Sequence, residues 1–177
     1  MQRLVIAYPN LPLDDYNWIQ SVRESHDPKY FDVVAPHVTL VFGTQKLSVS
    51  ELTDHVHEIV ADTQAINLRF DTAQVVEDDS GTYFHAFLVP SQGHNQIIQL
   101  HDALYTGPLQ SELRHDIPFI PHIGIGTSAA RSDMTALAAD IIAQRIAIKA
   151  TIDILDIVEF DGHTVISRER VQLGRTV

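Results

Sequence analysis

PHVTLVFG, at residues 36–43, recurs in altered form as PHIGIGT at residues 121–127. Both copies begin with Pro-His and continue with a β-branched residue, a small residue and an aliphatic residue. Proline suits the first residue of a strand, where no backbone N–H is needed in the ladder, so each copy predicts a strand. The two motifs together predict an internal repeat of approximately residues 1–81 and 82–177.

The sequence around the two motifs supports the repeat. Ser48 and Glu51 have the spacing of a capping box, which predicts the start of a helix after the first motif. Ser132 occupies the corresponding place after the second motif, and an apolar stripe at helical spacing follows each serine. Both predicted helices lead into strand regions, 66–77 and 146–159, that end in acidic turns containing glycine.

The order of these elements predicts the fold class. Strands outnumber helices without the strict alternation of a doubly wound parallel sheet, which favours an α+β protein. We expect a duplicated bilobal fold: two mainly antiparallel sheets related by a pseudo-twofold, with helices on the outer faces and a central cleft. No linker rich in Gly, Pro or Ser divides the halves, so residues 1–177 are expected to form a single bilobal domain.

Composition excludes several classes of function. The chain of 177 residues is 45% hydrophobic and 20% charged, a balance typical of globular proteins. It contains no cysteine, which excludes disulfides, thiolate metal sites and cysteine nucleophiles. The formal net charge of −11 argues against binding to a long nucleic acid duplex through its phosphates. A glycine-rich phosphate loop, a serine-hydrolase elbow and a dinucleotide fingerprint are all missing from the sequence.

The apolar segments of the chain are short. The run at residues 4–8 stops at Pro9, which makes it too short for a signal peptide and typical of a first strand. No stretch approaches the roughly 18 apolar residues of a membrane span. We therefore expect a soluble, cytoplasmic protein, and a monomer.

The two Pro-His motifs also carry the candidate chemistry. With a period of two, His37 and Thr39 share one face of the first strand, and His122 and Gly124 share the equivalent face of the second. A pseudo-twofold would make these faces look at each other across the cleft. Histidine has a pKa near 6.5, so one imidazole can accept a proton while the other donates one. Such a pair suits the opening of a cyclic phosphodiester.

Two motifs of the His-x-Thr/Ser type in a duplicated α+β chain of this size resemble the 2H phosphoesterases, the superfamily of 2′-5′ RNA ligase-like proteins and cyclic phosphodiesterases. The resemblance implies that His37 and His122 are the catalytic pair and that Thr39 contacts the phosphate. It implies a metal-independent hydrolase without cofactor, whose substrate is a 2′,3′-cyclic phosphate or related phosphodiester of a nucleotide or short RNA end. The natural substrate, and which histidine is the acid, stay open.

The second motif departs from the superfamily pattern at Gly124, where Thr or Ser is expected. One lost hydrogen-bond donor costs roughly 3 kcal/mol in the transition state, on the order of a hundredfold in rate. In a regular strand, Thr127 would face away from the cleft and Ser128 would face back into it. The departure leaves three alternatives: a slower enzyme, an enzyme with a bulkier substrate, or a nucleotide or RNA-end binding module without efficient turnover.

Aromatic residues supply further candidates for substrate binding. His85 alternates with Tyr83 and Phe87, which predicts that the three side chains share a face that can stack a base. Tyr8 is the aromatic residue at the equivalent place in the first repeat. The alternative for His85 is a core strand in which its hydrogen bonds are satisfied within the protein.

Three basic residues flank the second motif and are the nearest cations for a phosphate: Arg114, His115 and Arg131. Of these, Arg131 is the candidate for substrate binding. The alternative is that these arginines form ion pairs with carboxylates such as Asp116 and Asp133. Although the chain has ten histidines, no spacing in it predicts a metal site. A metal-dependent hydrolase is kept only as a third alternative. Treatment with a chelator would distinguish it from the metal-independent enzyme, whose activity should survive.

Overall fold

A computed structural model describes residues 1–174, which contain strands and helices in mixed order. The strands are β1 (Gln2–Ala7), β2 (Val38–Thr44), β3 (Ile66–Glu77), β4 (Phe84–Gln92), β5 (Ile123–Ser128), β6 (Ile148–Ile152), β7 (Ile154–Phe160) and β8 (Val165–Gln172). The helices are α1 (Leu13–His26), α2 (Val49–Val60), α3 (His94–Leu104) and α4 (Arg131–Ala143), with a 3-10 helix at Gly107–Glu112.

The strands form two four-stranded sheets, in the orders β2-β1-β7-β8 and β5-β4-β3-β6. Every pairing between neighbouring strands in these sheets is antiparallel. The third strand of each sheet comes from the other predicted repeat: β7 lies beside β1, and β3 lies beside β4. The predicted α+β class with two antiparallel sheets is confirmed. That residues 1–177 form a single domain stays a prediction.

The helices cover apolar faces of these sheets. Helix α4 packs against β3, β4 and β5, while α2 contacts β7 and β8. The capping box at the start of α2 is present: the Ser48 hydroxyl accepts from the Glu51 N–H at 3.2 Å, and the Glu51 carboxylate accepts from the Ser48 N–H at 2.8 Å. Ser132 is not the cap of α4, because this helix begins at Arg131, after Ala130, and has no side-chain cap. In residues 1–174 no helix is long and apolar enough to cross a membrane. The cytoplasmic location and the monomeric state stay predictions.

A β-bulge in β5 changes which residues face the centre of the molecule. Phe87 pairs with Gly124 and Ala86 pairs with Gly126, so Ile125 is an extra residue in β5. An extra residue reverses the alternation of the side chains that follow it. Thr127 consequently lines the central cavity, which corrects the expectation from a regular strand.

The bulge also moves the side chains around Thr127. Ser128, expected to face the cleft, instead donates a hydrogen bond to the Asp133 carboxylate at 2.7 Å. A Cβ placed on Gly126 would lie 2.7 Å from Leu137 Cδ2, so this glycine allows α4 to pack closely on β5. The two glycines of the second motif therefore face different surroundings.

Candidate active site

One cavity is lined by residues of both sheets and by the segment that follows α1. Its volume is about 300 Å³, at the lower end of the range for small-molecule sites. The first sheet and the segment after α1 contribute mainly apolar side chains. The polar side chains in the lining are Arg23, Asp27, Tyr30, His37, Thr39, His85, His122 and Thr127.

The two motif histidines are anchored in the same way. The Nδ1 atom of His37 lies 2.9 Å from the carbonyl oxygen of Ala35, and the Nδ1 atom of His122 lies 2.6 Å from that of Ile120. A carbonyl can only accept, so each Nδ1 donates and each Nε2 is left free. Neither Nε2 is hydrogen-bonded in the part of the chain that the structure describes. Both residues directly precede their strands rather than lying within them.

Burial keeps these imidazoles neutral. The pKa of His122 is lowered to about 4, mainly because burial disfavours the charged form. The carbonyl of Ile120 opposes this shift, and the charges of His37 and His85 add to it. Burial also lowers the pKa of His37 below its usual value. Near neutral pH the free site therefore presents imidazoles that can accept protons.

The residues two positions after the histidines differ. Thr39 follows His37 and lines the cavity. Gly124 follows His122, and a Cβ built on it would meet no atom within 4 Å. The first motif thus offers an imidazole and a hydroxyl, and the second offers an imidazole beside open space.

A buried ion pair at the cavity was missed by the sequence analysis. Arg23 and Asp27 are each about 2% exposed, and Arg23 Nε lies 3.5 Å from a carboxylate oxygen of Asp27. The Arg23 guanidinium also donates to the carbonyls of Tyr30 at 3.0 Å and Val34 at 2.8 Å. The pair therefore holds the segment that lines one side of the cavity. Its only signal in the sequence was an i,i+4 spacing in α1, which is more typical of an exposed helix face.

His85 lies at the cavity as well, in an arrangement that the sequence did not predict. Its Nδ1 is 3.1 Å from the Thr127 hydroxyl, and this hydroxyl donates to the Asp27 carboxylate at 3.0 Å. The Phe87 ring is near-parallel to both imidazoles beside it, with centroids 5.9 Å from His85 and 3.5 Å from His122. The cavity therefore has three histidines rather than two.

Tyr8 and Tyr83, two other predicted binding residues, lie outside the cavity lining. The Tyr8 ring is edge-on to the His37 ring, with centroids 6.3 Å apart. The Tyr83 ring is partly exposed beneath the Lys29 ammonium group, 4.7 Å from its centroid. Both aromatic residues therefore border the site without lining it, and their binding role stays a prediction.

The two arginines near the second motif are not among the residues that line the cavity. The Arg131 guanidinium lies over the Phe84 ring at 5.6 Å. Phe84 and His85 are neighbours in β4 and face opposite sides of the sheet, so Arg131 lies on the side away from His85, and its role in substrate binding stays a prediction. Arg114 pairs with Asp116 at 2.7 Å, as the ion-pair alternative predicted. Among the described residues there is no group of three or more His, Cys, Asp or Glu that could hold a metal ion.

Comparison with protein families identifies the chain. Residues 11–164 match the model of the 2′-5′ RNA ligase superfamily, which is most of the sequence. The chain belongs to this superfamily. Its members are the 2H phosphoesterases, so membership supports an enzyme of the phosphodiesterase or ligase-like type in nucleotide or RNA processing. The resemblance that the two Pro-His motifs carry is confirmed.

Solved structures show the same fold. E. coli LigT complexed with 3′-AMP matches with a TM-score of 0.57 at 18% identity, over 98% of this chain and 99% of that chain. Kluyveromyces marxianus Usb1 with uridine monophosphate matches with a TM-score of 0.52 at 11% identity, over 93% and 96%. At these identities the likeness concerns the fold of the superfamily. A comparison with curated proteins found no match.

Proposed function

We propose that this member of the superfamily is a metal-independent phosphodiesterase that opens a 2′,3′-cyclic phosphate of a nucleotide or short RNA end. The observation that carries the proposal is the equivalent anchoring of His37 and His122. Each donates Nδ1–H to the carbonyl two residues earlier and leaves Nε2 free at the same cavity. Acid–base catalysis at a phosphodiester needs two such groups.

The reaction follows from this pair of imidazoles. One neutral imidazole takes a proton from water as the water oxygen attacks phosphorus. The bond from phosphorus to one ribose oxygen breaks, and the other imidazole, which has taken a proton from solvent as the phosphodiester anion binds, gives that proton to the ribose oxygen. The product is a phosphomonoester with a free ribose hydroxyl. Because the two anchors are equivalent, either histidine can serve in either role, and the roles exchange in the reverse direction.

The rest of the cavity supports a small substrate. A volume of about 300 Å³ is in the range of small-molecule sites and favours a ligand of about one nucleotide. Thr39 lines the same cavity as His37, which supports a role for its hydroxyl in contacting a non-bridging phosphoryl oxygen. The net charge of −11 also favours a mononucleotide or a chain end over a long polyanion.

A second candidate function rests on Gly124. The open space beside this glycine leaves one side of the phosphate without a hydroxyl donor. A protein that kept the cavity but lost efficient turnover would bind a nucleotide or an RNA end without changing it. Turnover and binding must therefore be measured separately.

The test is the hydrolysis of 2′,3′-cyclic AMP and 2′,3′-cyclic CMP in the presence of EDTA. Wild type is compared with His37→Gln, His122→Gln and the control His163→Gln, whose histidine is exposed in a turn. The proposal is supported if both cavity substitutions abolish turnover and the control substitution does not. Binding without turnover favours the binding module, and turnover lost on addition of EDTA favours a metal-dependent hydrolase. If the protein neither hydrolyses nor binds these cyclic nucleotides, the proposed substrate class is overturned.

A further inference from the structure

The bulge in β5 gives Thr127 an unusual set of contacts. Its hydroxyl donates to Asp27 Oδ1 at 3.0 Å, so its oxygen is left to accept the Nδ1–H of His85 at 3.1 Å. His85 therefore carries its proton on Nδ1 in the neutral state. Its Nε2 makes no hydrogen bond within residues 1–174 and belongs to a side chain that lines the cavity.

The anchor of His85 differs in charge from the other two. His37 and His122 are held by neutral carbonyls, whereas His85 is held through a hydroxyl by the carboxylate of Asp27. Arg23 fixes that carboxylate by an ion pair in the interior. A negative charge behind an imidazole stabilises its protonated form more than a neutral carbonyl does. Of the three imidazoles, His85 has the anchor best suited to holding a proton.

The charges around His85 determine when it takes up that proton. Burial lowers the pKa of His85, the nearby Asp78 carboxylate raises it, and the Lys29 ammonium group lowers it. The charges of His85 and His122 repel each other when both are protonated, which lowers the pKa of His122. With the net effect downward, His85 is mainly neutral in the empty site. A phosphate anion in the cavity adds the negative charge that favours the imidazolium form.

The position of His85 relates it to the open space at Gly124. The Phe87 ring stacks on the His122 imidazole and is near-parallel to that of His85, and Phe87 is the cross-strand partner of Gly124. The same wall of the cavity therefore carries a reacting histidine, an empty position and a third imidazole with a free nitrogen. The hydroxyl of the second motif is displaced to Thr127, where it holds this third imidazole.

We propose, resting on the proposed function, that His85 is a substrate-contacting residue that takes up a proton from solvent when the phosphodiester anion binds. Its Nε2–H then donates to a non-bridging phosphoryl oxygen and supplies the hydrogen bond that Gly124 lacks. Thr127 and Asp27 are positioning residues that act through His85. Their hydrogen bonds set which nitrogen faces the substrate.

Paired substitutions separate the contact from the positioning. His85→Asn keeps an amide that can donate to Thr127 but removes the atom at Nε2, whereas His85→Gln places an amide at that position. We expect kcat/KM for 2′,3′-cyclic AMP to fall about 100-fold in His85→Asn and less in His85→Gln. Thr127→Val is expected to lower kcat/KM about 10-fold, mainly through kcat. Thr127→Ser, which keeps the hydroxyl, is expected to have kcat/KM close to that of the wild type. The controls His163→Asn and Thr135→Val change the same residue types at exposed positions.

A double substitution tests whether His85 compensates for Gly124. If a hydroxyl at position 124 makes the same hydrogen bond, His85→Asn costs less than about 10-fold in the Gly124→Ser background. An equal loss in both backgrounds overturns the compensation. If the wild type is active and His85→Asn is equally active, the role of His85 is overturned while the proposed function stands. Absence of turnover by the wild type overturns the proposed function.

A measurement that needs no turnover tests the anchor. In the full chain labelled with ¹⁵N at histidine, NMR reports which ring nitrogen of His85 carries the proton and at which pH the ring titrates. We expect the Nδ1–H form in the wild type and a lower pKa of His85 in Thr127→Val. An Nε2–H form in the wild type, or an unchanged pKa in the variant, overturns the proposal even if the enzyme is active.

Discussion

The His122 imidazole lies flat on the Phe87 ring, with centroids 3.5 Å apart and planes inclined by 15°. The register between β4 and β5 produces this contact, because Phe87 pairs with Gly124, two residues after the histidine. An aromatic ring that covers one face of an imidazole excludes water from it, and exclusion of water disfavours the charged form. The stack thus accounts for part of the lowered pKa of His122, which is about 4.

Removal of that ring should raise the pKa of His122. In Phe87→Ala, water reaches the imidazole, and we expect its pKa to move from about 4 toward the ordinary 6.5. Titration of the wild type and the variant by histidine NMR measures the change. Phe119→Ala is the control, since Phe119 stacks on His101 instead. A His122 pKa that stays near 4 in Phe87→Ala would show that the stack does not contribute.

The same histidine should make stability depend on pH. His122 titrates near 6.5 in the unfolded chain and at about 4 in the folded one, so the unfolded chain binds more protons between these values. Its contribution to folding is therefore present above about pH 6.5 and is lost as the pH falls toward 4. Between pH 6.5 and pH 4 the unfolding free energy of His122→Gln should fall by about 3 kcal/mol less than that of the wild type. Urea unfolding of both proteins at the two ends of the range measures the difference, and equal losses would contradict the expectation.

A hydroxyl introduced at Gly124 should increase activity where His85 does not already donate to the phosphate. No atom lies within 4 Å of a Cβ placed on this residue, so Gly124→Ser is expected to fold normally. We expect kcat/KM for a 2′,3′-cyclic nucleotide to rise roughly 10- to 100-fold when Gly124→Ser is added to His85→Asn, since one donor at the transition state is worth about that much, and to rise by less than about threefold in the wild type, where His85 already donates to the phosphate. Gly126→Ser is the matched control, because its Cβ would lie 2.7 Å from Leu137 and should lower the melting temperature. A stable protein with both His85→Asn and Gly124→Ser that gains nothing over His85→Asn would show that a hydroxyl at position 124 does not reach the phosphate.

Removal of one partner of the buried ion pair at the cavity should lower the stability of the protein strongly. Asp27→Leu leaves the Arg23 guanidinium buried without a counter-charge, and Arg23→Met leaves the carboxylate in the same state. We expect each single substitution to lower the unfolding free energy by about 3 kcal/mol, and the double substitution to lower it less than either. Denaturant unfolding of the three variants measures this. A double variant as unstable as the sum of the singles would contradict it.

Arg131 should contribute little to catalysis. Its guanidinium lies over Phe84, on the side of β4 away from His85, so Arg131→Ala is expected to leave KM for a cyclic nucleotide within about twofold of the wild type. Steady-state kinetics in the presence of EDTA measures this. A rise of tenfold or more in KM would show that the Arg131 side chain contacts the substrate.

Local sequence determined the fold class. The paired Pro-His motifs, the capping box at Ser48 and the apolar stripes are local patterns, and they indicated the repeat, the helix α2 and the antiparallel strands. The same motifs indicated that His37 and His122 lie at a common cleft, and the structure has both at one cavity. The carbonyl anchors follow from the shared Pro-His backbone and so recur in both halves.

Only the tertiary structure decided what surrounds those histidines. The bulge at Ile125 depends on how β5 pairs with β4, and a slip of one residue moves Thr127 from one face of the sheet to the other. The ion pair of Arg23 with Asp27 looks, in sequence, like an exposed pair on a helix, and its burial depends on what packs over α1. Patterns of local spacing encode which residues share a face. They do not encode register and burial, because these arise from contacts between segments far apart in the chain.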